Sequence, residues 1–143
     1  MVRKLVLCLL ALWLAAPAAA LAAPPPVADP DKYAAHVMDL IKKNDMTAVA
    51  KMIADSIGRP TYADTIQDGL GVVTGKTIDY SDKVIDNTFG KSLRQIVYYT
   101  FIDQTGFVYY RFNFKMSSHG WILANFIFKS ENNELFPKDF IDR

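Results

Sequence analysis

The stretch YYRFNFKMSSHGWILANFIFK runs from Tyr109 to Lys129. Large apolar residues recur at nearly every second position on both sides of Ser117-Ser118-His119-Gly120. A period of two is that of a half-buried β-strand, and the small polar residues between the runs form a turn. The segment therefore folds back on itself as an antiparallel hairpin. With the turn centred on Ser118, Val108, Tyr110, Phe112 and Phe114 face Phe128, Phe126, Ala124 and Ile122 on one side. The other side sets Tyr109 against Ile127, Arg111 against Asn125, Asn113 against Leu123, and Lys115 against Trp121. The first side holds no charged residue and must lie under another layer, since burying each large side chain is worth roughly 1.5–3 kcal/mol. A slip of one residue would drive the polar set into the core, so the pattern enforces which face is inner.

Upstream, Leu93 to Asp103 is rich in β-formers and reads as a strand. Asp103-Gln104-Thr105-Gly106 is a hairpin turn that leaves Gly106 free to take positive φ. Ile78, Tyr80 and Val84 alternate weakly and predict a first strand over 77–88. Before residue 77 the period changes to that of helices. Asp29 and Pro30 start one whose stripe is Tyr33, Val37, Leu40, Ile41 and Asn44, and Asn44-Asp45 ends it. Val49, Met52, Ile53 and Ile57 mark a second, stopped by Gly58 and Pro60. Thr61 with Asp64 resembles a capping box for a short third helix carrying Tyr62, Ile66 and Leu70. Helices followed by a meander predict an α+β domain, with N-terminal helices packed on one face of an antiparallel sheet.

The N-terminus reads as a signal peptide. Arg3 and Lys4 precede an apolar run, Leu5 to Leu14, too short to span a bilayer, and small residues follow. Residues 1–22 are expected to be cleaved, which places the protein in the periplasm or outside the cell. Residues 23–29, with Pro24, Pro25 and Pro26, are expected to form an extended, disordered new N-terminus. Residues 30–137 form the single domain and 138–143 a tail.

Cys8 leaves with the signal, so the mature chain carries no disulfide, thiol nucleophile or zinc–thiolate site. The chain has 16 Lys+Arg and 15 Asp+Glu. Without Arg3 and Lys4 the balance is 14 against 15, about −1, which gives no electrostatic footprint for nucleic acid. No second apolar stretch is long enough to span a membrane. His36 and His119 are far apart and offer no metal-ligand spacing, and neither has an acidic orienter for a catalytic triad. No cofactor motif is present, and no catalytic set is assigned.

Three features carry a resemblance. They are Phe89-Gly90-Lys91-Ser92-Leu93 before the long strand, the aromatic strand Tyr110-Arg111-Phe112-Asn113-Phe114, and Gly120-Trp121 opening the last strand. Together with the preceding helices they resemble short exported bacterial proteins of the nuclear-transport-factor-two-like, cystatin-like superfamily. The likeness covers about residues 30–137. It implies a cone, in which a curved sheet wraps the helices and a pocket opens between them. Tyr98, Tyr99, Tyr110, Phe112 and Phe126 are the expected pocket lining. Tyr109, Arg111, Trp121 and Asn125 are the expected outer-face contacts, since Tyr, Trp and Arg together are the composition of binding hot spots. Related folds often pair through that face.

Two functional expectations follow. The first is an exported, non-enzymatic domain that binds a small apolar ligand or a protein partner, including a second copy of itself. The alternative is an isomerase-, dehydratase- or cyclase-type enzyme, with Asp82 or Asp86 as base and Tyr110 as hydrogen-bond donor. Asp79 belongs to the same acidic group, which also suits a solvated edge strand.

Overall fold

The structure is a computed structural model that describes residues 23–103 and 105–130. Helix α1 spans Pro30–Lys42, and the Asp29 carboxylate accepts from the backbone N–H groups of Asp31 and Lys32. This is the cap expected from sequence. Ala34, Val37, Met38 and Ile41 form its buried face. Asn44 ends the helix with φ 61°, a left-handed conformation that Asn tolerates. Helix α2, Met46–Ser56, starts under the Asp45 cap and buries Met46, Val49, Ala50, Ile53 and Ala54. The Tyr33 hydroxyl donates to Ser56 Oγ at 2.8 Å and joins the two helices.

Gly58, at φ 70°, turns the chain out of α2, and the Arg59 N–H bonds back to the Ala54 carbonyl at 2.8 Å. A 3₁₀ turn, Pro60–Tyr62, leads into α3, Ala63–Gly69. Thr61 and Asp64 do not form the expected capping box: neither segment has a side-chain cap. The 3₁₀ turn already supplies backbone bonds to the first N–H groups, such as Tyr62 N–H to the Arg59 carbonyl at 2.9 Å.

The sheet is curved, antiparallel and not closed into a barrel, in the order β1-β2-β3-β4. Its strands are β1 Ile78–Phe89, β2 Leu93–Ile102, β3 Gly106–Ser117 and β4 Gly120–Lys129. The helices cover one face, which is the α+β arrangement expected. Val108, Tyr110, Phe112 and Phe114 are all fully buried on the inner face, with Ile96, Ile102 and Leu123.

The β3–β4 register differs from the expected one. Ser117 pairs with Gly120, Phe112 with Phe126, Tyr110 with Phe128, Arg111 with Ile127, and Asn113 with Asn125. The turn is therefore centred later than Ser118. A bulge between Asn113 and Phe114 adds one residue to β4, so that Phe114 meets Leu123 and Met116 meets Trp121. Phe126 and Phe128 keep their inner positions, whereas the phase inverts beyond the bulge. Leu123 and Trp121 turn inward, and Ala124 is exposed. Trp121 is thus a core-flanking residue and not an outer-face one. Its carbonyl accepts from the Val27 N–H, and Val27 is buried against the core. The proline-rich segment, expected to be disordered, is pinned at Val27 by this one-residue bridge.

Candidate functional site

Two of the expected pocket residues fill the core between helices and sheet. Tyr110 and Phe112 are completely buried. The Tyr110 hydroxyl lies 3.2 Å from Thr100 Oγ1, so its polar end is paired inside the core. Burial pushes its pKa up to about 12, against a smaller lowering by the Thr100 bond. Phe112 stacks beside Phe114 and tilts against Phe126 at 4.9 Å. The β2–β3 register runs without a break to Gly106, which settles the facing of the tyrosine pair. Tyr98 points inward, edge-on to Phe112, and is half-buried. Tyr99 points outward into a ring cluster with Tyr80, Phe107 and Tyr109.

The fifth residue, Phe126, borders a cleft of about 400 Å³ between α2, α3 and β4. Ile53, Ile57 and Ile66 wall it from the helices, and Phe126 and Phe128 from the strand. Arg59, Tyr62, Ala124 and Asn125 complete the lining. Its volume falls in the lower part of the small-molecule range, roughly 300–1,000 Å³. The local sequence explains its shape. Gly58 and Pro60 reverse the chain after α2, and the 3₁₀ turn brings Tyr62 back beneath Arg59. The guanidinium carbon sits 5.2 Å from the centre of the Tyr62 ring, within cation–π reach. At the far end α3 comes close to β4: a Cβ on Gly69 would sit 3.0 Å from Phe128 Cζ.

Asn125 belongs to the outer face, as expected, and closes a row of amides across three strands. Gln95 Nε2 donates to Asn113 Oδ1 at 3.0 Å, and Asn113 Nδ2 donates to Asn125 Oδ1 at 2.6 Å. The row runs one way, so its last N–H₂ group, that of Asn125, stands at the β4 edge beside the cleft. Arg111 and Tyr109 are also on the outer face, half-buried, with Arg111 opposite Val97 and Ile127. The exposed rings of Tyr80, Phe101 and Phe107 lie near them, with Phe101 and Phe107 at 5.2 Å.

Each of the three β1 aspartates has a structural bond. Asp79 accepts from the Asp103 N–H at 3.1 Å and holds the β2–β3 turn. Asp82 accepts from the next backbone N–H, that of Lys83. Asp86 takes Arg94 on both oxygens at 2.8 Å, and Lys83 bridges it to Asp31. Arg94 above all, with Lys83, holds the Asp86 carboxyl below the usual carboxylate range. His119 bonds Ser118 in the turn, at 3.0 Å. His36 is exposed and borders a second, shallower hollow of about 410 Å³ between the N-terminal segment and Tyr33, Met52 and Ser56. Tyr33 is pushed up to about 12 by burial, offset in part by its Ser56 bond.

Sequence reasoning placed Ile53, Ile57, Tyr62 and Ile66 in the helix faces but passed over Arg59. The available signal was the Gly58-Arg59-Pro60 stop, which forces residue 59 out of the helix beside the next aromatic.

Among the described residues no group of three or more His, Cys, Asp or Glu side chains could hold a metal ion. No described helix is long and apolar enough to cross a membrane. No protein-family model and no curated protein matches this chain. The reading of the site therefore rests on its own chemistry.

Proposed function

We propose that this protein is an exported, non-enzymatic domain that binds a small apolar ligand in the cleft between α2, α3 and β4. The observation that carries the reading is the cleft itself. Its walls are Ile53, Ile57, Ile66, Phe126 and Phe128, and among the described residues its polar side chains are Arg59, Tyr62 and Asn125. Sites of this kind take their affinity from apolar walls and their orientation from a few polar groups. The enzymatic alternative has less support. Asp86 is held by two cations, and Tyr110 is sealed in the core with Thr100. The helices on a curved sheet agree with the superfamily resemblance drawn from the aromatic strands.

Native mass spectrometry of protein purified from the periplasm tests this reading. The wild type is expected to carry a dissociable adduct, and Ile66→Trp, which fills the cleft, to lose it. An adduct retained by Ile66→Trp would overturn the cleft as its seat.

The outer face supports a second reading, pairing with another copy. Phe101, Phe107 and Tyr80 expose rings beside Tyr99 and Tyr109. Such a contiguous aromatic patch is the usual mark of a contact surface. Sedimentation is expected to show a dimer that Phe107→Lys dissociates; a monomer at high concentration would remove this reading.

A further inference from the structure

The cleft's polar groups have a common character that narrows its ligand. Arg59 is a permanent cation. It reaches over the Tyr62 ring and forms no ion pair among the described residues. Arg94, by contrast, is saturated by Asp86. Among the described residues no carboxylate lines the cleft. Asn125 already spends its carbonyl oxygen on Asn113, and the head-to-tail order from Gln95 through Asn113 leaves Asn125 with donors at the strand edge. Both groups are held in place, Arg59 by the Gly58 cap and the Tyr62 ring, Asn125 by the amide row.

We infer that the cleft takes an amphipathic monoanion, a small carboxylate with an apolar body. Its oxygens would accept from Arg59 and Asn125, and its body would lie against Ile53, Ile57, Ile66, Phe126 and Phe128. The inference rests on the cleft reading above and adds the charge of the ligand. A purely apolar molecule would leave the donors at the rim to water. A cation would meet Arg59 with like charge. A carboxylate fits the two donors, and charge-assisted bonds of this kind are the stronger ones.

Sodium octanoate and 1-octanol are the probes, titrated into the full mature chain and followed by amide NMR shifts. Octanoate is expected to bind about tenfold more tightly than octanol, the margin of one charge-assisted hydrogen bond. Shifts should centre on Ile57, Ile66 and Phe126. Arg59→Gln should remove that margin, weakening octanoate about tenfold more than octanol. Asn125→Asp keeps the oxygen that Asn113 needs but puts a negative charge where the donors were, so it should weaken octanoate far more than octanol. Equal affinity for the two probes in the wild type, unaltered by Arg59→Gln, would overturn the anionic class and leave the apolar cleft standing. If neither probe shifts the cleft residues of the folded wild type, both readings fall together. Circular dichroism of each variant separates lost binding from lost fold.

Discussion

The hydroxyls of Tyr110 and Thr100 meet at 3.2 Å inside the core, on diagonal inner-face positions of β3 and β2. Both residues are fully buried, so each is the other's replacement for water. Thr100→Val or Tyr110→Phe alone strands one hydroxyl and should cost about 1–3 kcal/mol. The double variant removes both polar groups and should cost clearly less than the sum of the two. Urea unfolding of the four proteins measures the coupling. Strict additivity would mean that the two hydroxyls do not depend on each other.

The same burial makes the protein sensitive to alkali. Tyr33 and Tyr110 are both raised to about 12, chiefly by burial. An unfolded tyrosine ionises near 10. Their contribution is therefore complete below pH 10 and is lost as pH climbs through about 12, because only the unfolded state gives up these protons easily. Tyr33 and Tyr110 should ionise late, as pH passes through about 12. Absorbance at 295 nm against pH should show a late step that coincides with loss of near-ultraviolet dichroism. In the doubly substituted Tyr33→Phe, Tyr110→Phe protein the alkaline loss of stability should be reduced.

What could be read in the sequence follows polarity. Where apolar and polar residues alternate, as from Tyr109 to Lys115, the inner and outer faces were legible. In Trp121-Ile122-Leu123-Ala124 every residue is apolar, so the alternation carries no phase, and the bulge that turns Trp121 inward left no mark. The register suffered for a similar reason, since Ser117 and Ser118 are equally good turn residues. The ends of α1 and α2 were legible because Asp29, Asn44 and Gly58 each do one local job. The cleft was not, because it arises from α3 approaching β4, more than fifty residues apart in sequence, at Gly69 and Phe128. Local periodicity assigns Ile66 and Phe126 to a core and says nothing of the space left between them.

Asn44 offers a graded test of backbone conformation against hydrogen bonding. It sits at φ 61°, its Nδ2 donates to the Lys76 carbonyl at 2.8 Å, and its Oδ1 accepts from the Gly75 N–H at 2.7 Å. One side chain thus ends α1 and ties the loop before β1 to it. Asn44→Gly keeps the backbone at ease but drops both bonds, and should cost about 1 kcal/mol. Asn44→Ala drops the bonds and strains the backbone as well, for about 2–3 kcal/mol. Thermal melts should therefore rank Asn above Gly above Ala. An alanine variant as stable as the glycine one would show that the loop, not the φ angle, governs this corner.

Asp86 provides the sharpest division between a structural and a chemical carboxylate. Its pKa is lowered, first by the Arg94 hydrogen bonds and then by Lys83. Its ionised form is favoured in the folded state, so its contribution is present above the unfolded carboxylate value, near 4, and fades as pH falls through the lower folded one. The site is partly open to solvent. Screening then holds the contribution to about 1 kcal/mol or less, and high salt reduces it further. Asp86→Asn should destabilise the protein slightly at neutral pH, less at 1 M salt (roughly a 3 Å screening length), and not at all at the acid end. A carboxylate held this way is a weak proton acceptor near neutrality, so the substitution should leave binding in the cleft unchanged. Loss of cleft binding in Asp86→Asn at constant fold would tie this ion-pair cluster to the site and reopen the case for chemistry on β1.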